Sequence, residues 1–456
     1  MNRIARFYRI SEPAQALDID QAEQTKIYRR LRLQAFAAAT LGYSLYYVCR
    51  TSLNVMKKPL LDSGALDASQ IGVIGSALLF AYAVGKFVNG FVADYCNIKR
   101  FMATGLVVSA AANALMGLTG LAQAAIPSAV VCAAFAVMWG INGWAQSMGA
   151  PPAIISLSRW YPLRERGTYY GFFSASHNLG EFFSFLFVGS IVSLAGWQAG
   201  FFGSATAGAI GVAIIVGWLH DTPEAKGLPC VEALANERPA ETEKHSTAEI
   251  QKQVLRTPAV WVLAAASAFM YVSRYAINGW GVLFLQEQKG YSDVQAISIV
   301  SINALLGILG TVLSGWFSDK LFRGDRKVPA LIFGVLNAAA LAIFLYGGEA
   351  LWVNVLSMVL FGIAIGVLIC FLGGLMAVDI VPRKATGAAL GIVGMASYCA
   401  AGIQDVASGW LIDSNITVAA DGAKHYDFGP VAIFWIAASV ISFLLPLLNR
   451  GRVREF

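Results

Sequence analysis

Residues 81–94 read AYAVGKFVNGFVAD, an apolar run that carries one lysine and closes on Gly90-Phe91-Val92-Ala93-Asp94. At a distance of 225 positions a second apolar run closes on Gly315-Trp316-Phe317-Ser318-Asp319, and basic residues follow both. The shift recurs elsewhere. Pro162, Gly167 and Gly171 return as Pro382, Gly387 and Gly391 at an offset of 220, and Arg50 returns as Arg274 at 224. Nearly equal offsets at three places mark an internal duplication. The chain is therefore two related halves.

The apolar runs say what each half contains. A helix needs about 20 mostly apolar residues to cross a hydrocarbon core of ~30 Å. Runs of that length occur at 32–56, 70–93, 101–121, 127–150, 168–193 and 198–219, and again at 259–285, 295–317, 328–347, 351–377, 386–411 and 430–449. These are numbered below as spans 1 to 12. Composition agrees: 57% of the 456 residues are hydrophobic and 13% are charged, whereas a soluble domain carries about 25% charged residues. So few charges cannot cover a soluble surface, so lipid must. The expected fold is an all-α membrane protein of twelve transmembrane helices in two pseudo-symmetric halves. The expected parts are a cytoplasmic N-terminal segment 1–31, a six-helix bundle 32–219, a cytoplasmic linker 220–258 with some helix, a second bundle 259–449 and a cytoplasmic tail 450–456.

Basic residues orient the chain. With the N-terminus inside, 26 Lys and Arg fall in cytoplasmic segments, against four (Lys57, Lys58, Lys289 and Lys424) in outer loops. That asymmetry is the positive-inside pattern and places both termini in the cytoplasm of an inner (cytoplasmic) membrane. It also accounts for the net charge of +6: the excess is topological, and no nucleic-acid partner is expected. No A-x-A-like cleavage site follows the first run, so no removable signal peptide is expected. The six cysteines lie mostly inside apolar runs without paired metal-ligand spacing, so neither a disulfide framework nor a metal site is expected.

Three cations remain, Arg50, Lys86 and Arg274, and all lie inside spans. A cation at the bilayer centre costs about 2.5–3.5 kcal/mol on insertion scales, so such a residue needs a partner or a polar cavity. Tyr43, Tyr46, Tyr47 and Arg50 follow i, i+3, i+4, i+7 spacing on span 1, which is one helical face. Tyr82 and Lys86 share a face of span 2, and Tyr271 and Arg274 share one of span 7. A face of guanidinium and hydroxyls is a set of donors for an oxyanion, and a planar fork suits phosphate better than an ammonium does. Snorkelling or pairing with an acid is the alternative. The candidate acids are Glu181 and Asp405, and neither lies on a span that bears a cation. His177 lies one turn before Glu181 on span 5. It reads either as a proton-sensitive group beside a bound anion or as a packed histidine bonded to that carboxylate. Asn142, Asn178, Asn303 and Gln404 suit contacts to a polyol or hydrogen bonds between helices.

At these residues the chain resembles the organophosphate:phosphate antiporters of the major facilitator superfamily, a family that also includes a hexose-phosphate sensor. The resemblance rests on GYSLYYVCR (42–50), AYAVGKFVNGFVAD (81–94), QSMGAPPA (146–153), RERGTYYGFFSASHNLG (164–180), YVSRYAINGW (271–280), GWFSDKLFRGDR (315–326) and GLP (227–229). It implies that Arg50 and Arg274 match the family's phosphate-binding arginines, Lys86 its span-2 lysine and His177 its span-5 histidine. Tyr43, Tyr47, Tyr82, Tyr271 and Tyr398 match tyrosines that line its site. The sequence departs from the family at Thr51, at Ala304 beside Asn303, at Gly279, at Gly366-Val367-Leu368 and at Glu181. The departures touch the organic half of the pocket, where Glu181, Asn303 and Asp405 would tune selection, and leave the phosphate clamp in place.

The function the resemblance implies is exchange of an organic phosphate, of the hexose 6-phosphate type, for inorganic phosphate by alternating access. It would operate as a monomer, with no cofactor or metal. The alternative is a membrane sensor of the same fold that binds hexose phosphate and signals to a kinase. An intramembrane enzyme would need a nucleophile with a base or metal near the arginines, and no His/Asp/Cys constellation has useful spacing.

Overall fold

The computed structural model describes residues 3–64, 66, 68–234, 246–322, 325–418 and 424–448. The tail 450–456 and the middle of the linker, 235–245, lie outside them, as does the side chain of Asp405. Among the described residues the architecture is all-α except for one antiparallel pair of three-residue strands, Ile416–Val418 and Lys424–Tyr426, between spans 11 and 12.

Among the described residues ten helices are long and apolar enough to cross a membrane by length and composition. Spans 1 and 5 fall short of that apolarity for a physical reason. Span 1 is a continuous helix, Gln21–Asp62, and it carries tyrosines and Arg50. Span 5 is interrupted. It runs as Leu163–Ser174 and Ser176–Phe183, then widens into a π-helical turn at Ser184–Val188. Such turns are frequent at functional sites. The polar residues that make these two spans poor membrane segments are thus the candidate site residues. Span 4 runs beyond its expected end at residue 150, to Trp160. The reason is that Pro151 and Pro152 begin a second helix, Ala150–Trp160, and proline is compatible with a first helical turn.

The chain packs as two compact units. The first is Met1–Tyr169, Ala175–Val254 and Val381–Gly391; the second is Tyr170–Ser174, Leu255–Ile380 and Ile392–Phe456. In the first unit the opening of span 11 lies against the end of span 2. A Cβ at Gly90 would stand 2.6 Å from the Gly387 carbonyl oxygen and 2.7 Å from the Gly391 Cα, so only glycine permits this approach. In the second unit Gly171 meets the Thr311 carbonyl and the Gly315 amide in the same way. The repeated glycines read from the sequence are thus repeated backbone contacts, the small-residue packing that membrane helices favour.

Asp94, at the end of the first of these contacts, caps the helix that starts at Thr386. Its carboxylate accepts from Gly387 N (2.7 Å), Ala388 N (3.0 Å) and Gln251 Nε2 (3.0 Å), which satisfies orphan donors of a helical first turn. Burial pushes this carboxyl up to about 7, against the lowering effect of its donors. Its repeat partner Asp319 is held differently, by Arg326 at 2.5 Å, which also reaches Asp379 at 3.2 Å.

The segment expected as a polar N-terminal stretch is folded onto the first unit. Tyr8 O accepts from Asn97 N at 2.7 Å, and Ser11 N donates to Asp221 at 2.8 Å. Asp221 also pairs with Arg159. The linker contributes the helix Thr247–Arg256, which carries Gln251.

Candidate functional site

In the first unit the expected residues gather around two phenol rings. The Arg50 guanidinium lies 4.0 Å from the centre of the Tyr82 ring and 5.4 Å from that of Tyr47, and Lys86 Nζ lies 5.4 Å from the Tyr82 centre. Tyr43 stands edge-on to Tyr47 at 5.4 Å, and the His177 ring lies 5.8 Å from Tyr47. His177 reaches this position because span 5 runs close to span 1. A Cβ at Gly180 would collide with the Ser44 carbonyl, and the site tolerates only glycine there. Six expected residues from spans 1, 2 and 5 therefore form one cluster. Two cations from different helices lie against one ring, in an interior where a cation–π contact is worth about 2 kcal/mol once desolvated.

Two features differ from the sequence reading. Tyr46 does not belong to the cluster. It is fully buried, and its hydroxyl donates to the Met102 carbonyl on span 3 at 2.5 Å. The i+3 position lies far enough around the helix to face the bundle interior. Tyr82, expected to serve the lysine on its own helix, lies closer to Arg50 on span 1.

In the second unit Arg274 lies 5.7 Å from the Tyr271 ring centre and 5.8 Å from that of Tyr275. Tyr271 stacks on Tyr275 at 5.9 Å and meets Tyr398 edge-on at 5.4 Å. Tyr275 was not among the expected site residues, though its i+4 spacing from Tyr271 is a signal of the kind that found the others. Asn303 donates to the Val300 carbonyl at 2.6 Å and to Asn278 Oδ1 at 3.4 Å, so it ties span 8 to span 7 one turn beyond Arg274. Gln404 donates to Ser408, which also accepts from Trp435. Glu181 sits on the same short helix as His177 and is half-buried.

Each unit thus carries an arginine framed by tyrosines, with a lysine and a histidine added in the first unit. Guanidinium and phenol donors together bind a tetrahedral oxyanion. Among the described residues no group of three or more His, Cys, Asp or Glu could hold a metal ion.

A duplicated helical chain with ionisable residues inside its spans is an arrangement typical of membrane carriers of small solutes. Residues 39–404 match the description of the Major Facilitator Superfamily, and the chain belongs to that superfamily. Its motifs place it in the organophosphate branch, as its relatives show. It is 32% identical to the "Probable hexose phosphate transport protein" of Chlamydia pneumoniae, over 83% of this chain and 85% of that one. It is 33% identical to the "Membrane sensor protein UhpC" of Salmonella typhimurium, over 98% of both chains. It is also 33% identical to the "Glycerol-3-phosphate transporter" of Bacillus subtilis, over 85% of this chain and 88% of that one. The proton:xylose symporter XylE has the same fold, with a TM-score of 0.68 at 16% identity, over 93% of this chain and 96% of that one.

Proposed function

We propose that this protein is a secondary antiporter that exchanges an organic phosphate, of the hexose 6-phosphate class, for inorganic phosphate by alternating access. The observation that carries the reading is the pair of cations, Arg50 and Lys86, held over the Tyr82 ring inside the membrane-spanning part of the chain. The relatives named as hexose phosphate and glycerol-3-phosphate transporters support the substrate class.

In this account Arg50 and Arg274 are phosphoryl ligands, and Lys86 supplies field and mobility. Tyr43, Tyr47, Tyr82, Tyr271 and Tyr398 frame the ligand, while Glu181, Asn303 and Asp405 bear on the organic moiety or on the protonation state selected. Bound anion neutralises two desolvated cations, so it stabilises the states through which the carrier reorients. That differential stabilisation couples the two fluxes. The carrier works as a monomer in the bacterial cytoplasmic membrane with both termini inside, as the distribution of 26 basic residues against four supports.

A second reading is a membrane sensor that uses the same binding residues, and the UhpC relative, matched over 98% of the chain, favours it. The two share a ligand and differ in turnover. Purified protein titrated with inorganic phosphate, hexose 6-phosphate and glycerol 3-phosphate tests the common part. Saturable binding of at least one organic phosphate, competed by inorganic phosphate, is the expected result. Binding of unphosphorylated hexose with equal affinity contradicts both readings.

A further inference from the structure

The residues immediately before the two arginines are each held by a buried asparagine from a neighbouring helix. On span 3, fully buried Asn113 donates its Nδ2 to the Cys49 carbonyl at 3.0 Å and to Ser109 O at 3.0 Å, and its Oδ1 accepts from Ser52 at 2.7 Å. Asn142 on span 4 donates to the same Cys49 carbonyl at 3.1 Å. On span 9, fully buried Asn337 donates to Ser273 Oγ at 3.2 Å and to Ser439 Oγ at 2.7 Å. Asn113 and Asn337 are 224 positions apart, as are Cys49 and Ser273, and Arg50 and Arg274. The duplication has therefore kept a three-part arrangement: an arginine, the residue before it and an amide that grips that residue.

We infer that Asn113 and Asn337 are positioning residues, which set the direction of Arg50 and Arg274 by fixing the rotation of spans 1 and 7. Successive side chains leave a helix about 100° apart, so fixing one residue fixes where the next one points. A roll of about 15° moves a group carried some 7 Å from the helix axis by roughly 2 Å. That exceeds the tolerance of a bidentate hydrogen-bonding fork. Van der Waals packing alone resists such a roll weakly between smooth apolar helices, and an interhelical amide bond resists it directly. The grip is stronger in the first unit, where Asn142 doubles the contact to Cys49 and Gln146 links Ser109 to the Tyr46 carbonyl at 3.0 Å. The position 224 residues after Asn142 is Gly366, so among the described residues the residue before Arg274 has the single amide of Asn337. Arg50 is the more firmly aimed of the two.

The inference rests on the reading of both arginines as phosphoryl ligands, and one set of measurements separates the two claims. Inorganic phosphate binding is measured on the purified full-length protein for Asn113→Ala and Asn337→Ala, alone and combined with Arg50→Lys or Arg274→Lys. Asn113→Ala is expected to weaken binding roughly three- to fifteenfold in the wild-type and Arg274→Lys backgrounds, and by less than about twofold with Arg50→Lys. Asn337→Ala is expected to show the opposite selectivity. Equal weakening in both arginine backgrounds means general helix packing and overturns the positioning role. Arginine variants that bind phosphate like wild type overturn the ligand reading instead. Should Asn113→Ala not yield folded protein, Asn142→Ala carries the same test for Arg50 through the same carbonyl.

Discussion

The Arg50 guanidinium is 4.0 Å from the centre of the Tyr82 ring, and that ring also faces Lys86 Nζ at 5.4 Å. A single phenol thus holds two cations that come from different helices. Tyr82 is almost fully buried, so the contacts are shielded from water and the ring's electrostatic attraction is near its strongest.

Loss of that ring is the first prediction. Tyr82→Leu removes the ring that both cations contact and is expected to weaken phosphate binding by about 2 kcal/mol, or roughly thirtyfold. Tyr82→Phe keeps the ring and is expected to stay within about threefold of wild type. Titration of the two variants checks this, and equal effects would assign Tyr82 to hydroxyl hydrogen bonding instead.

Charge and geometry separate at the arginines. Arg50→Lys and Arg274→Lys keep the charge but lose the planar fork. Loss of one charge-assisted contact costs about 1.5–3 kcal/mol, so phosphate affinity should fall roughly ten- to a hundredfold in each. Lys86→Ala should lose less, because a single mobile ammonium contributes no fork. The order is expected to hold for organic and inorganic phosphate alike, since all three residues act on the phosphoryl group. An Arg50→Lys protein that binds like wild type would make Arg50 a residue that snorkels toward the outer surface.

His177 stands 5.8 Å from the Tyr47 ring and within the Arg50 cluster. His177→Gln is expected to flatten the pH dependence of exchange between about pH 5 and 8, the range in which imidazole changes charge. An unaltered profile in a well-folded variant returns His177 to packing.

His220, beyond the end of span 6, gives a pH effect on stability. Burial, with Lys226 and Lys99 nearby, lowers its pKa from 6.5 to about 4. The folded state therefore favours the neutral ring. Its contribution is complete above the unfolded value of 6.5 and is lost as pH falls through 4. The midpoint of thermal unfolding in detergent should drop between pH 7 and 4.5, and less so in His220→Gln. Equal slopes in the two proteins would remove His220 from the account.

Much of this was legible before any coordinates. The duplication, the apolar spans and the three intramembrane cations follow from spacing and from the cost of charge in lipid, which are one-dimensional signals. Arg50, Lys86, Tyr43, Tyr47, Tyr82 and His177 do gather in one unit. Contacts between helices were not legible. Periodicity placed Tyr46 with Tyr43 and Tyr47 but could not say that the Met102 carbonyl would receive it. It paired Tyr82 with Lys86 on its own helix and gave no hint that Arg50 would lie closer. The π turn at Ser184–Val188 and the short strands after span 11 have no periodic signature. Tyr275 has one, four residues after Tyr271.

Phosphate-loaded proteoliposomes test the central claim most directly. Vesicles that contain wild-type protein and internal inorganic phosphate should accumulate labelled hexose 6-phosphate, while matched vesicles without internal phosphate should not. Arg50→Lys and Arg274→Lys should each abolish the difference. Equal uptake into loaded and empty vesicles would contradict exchange, and tight binding with no uptake into either would make the protein a sensor.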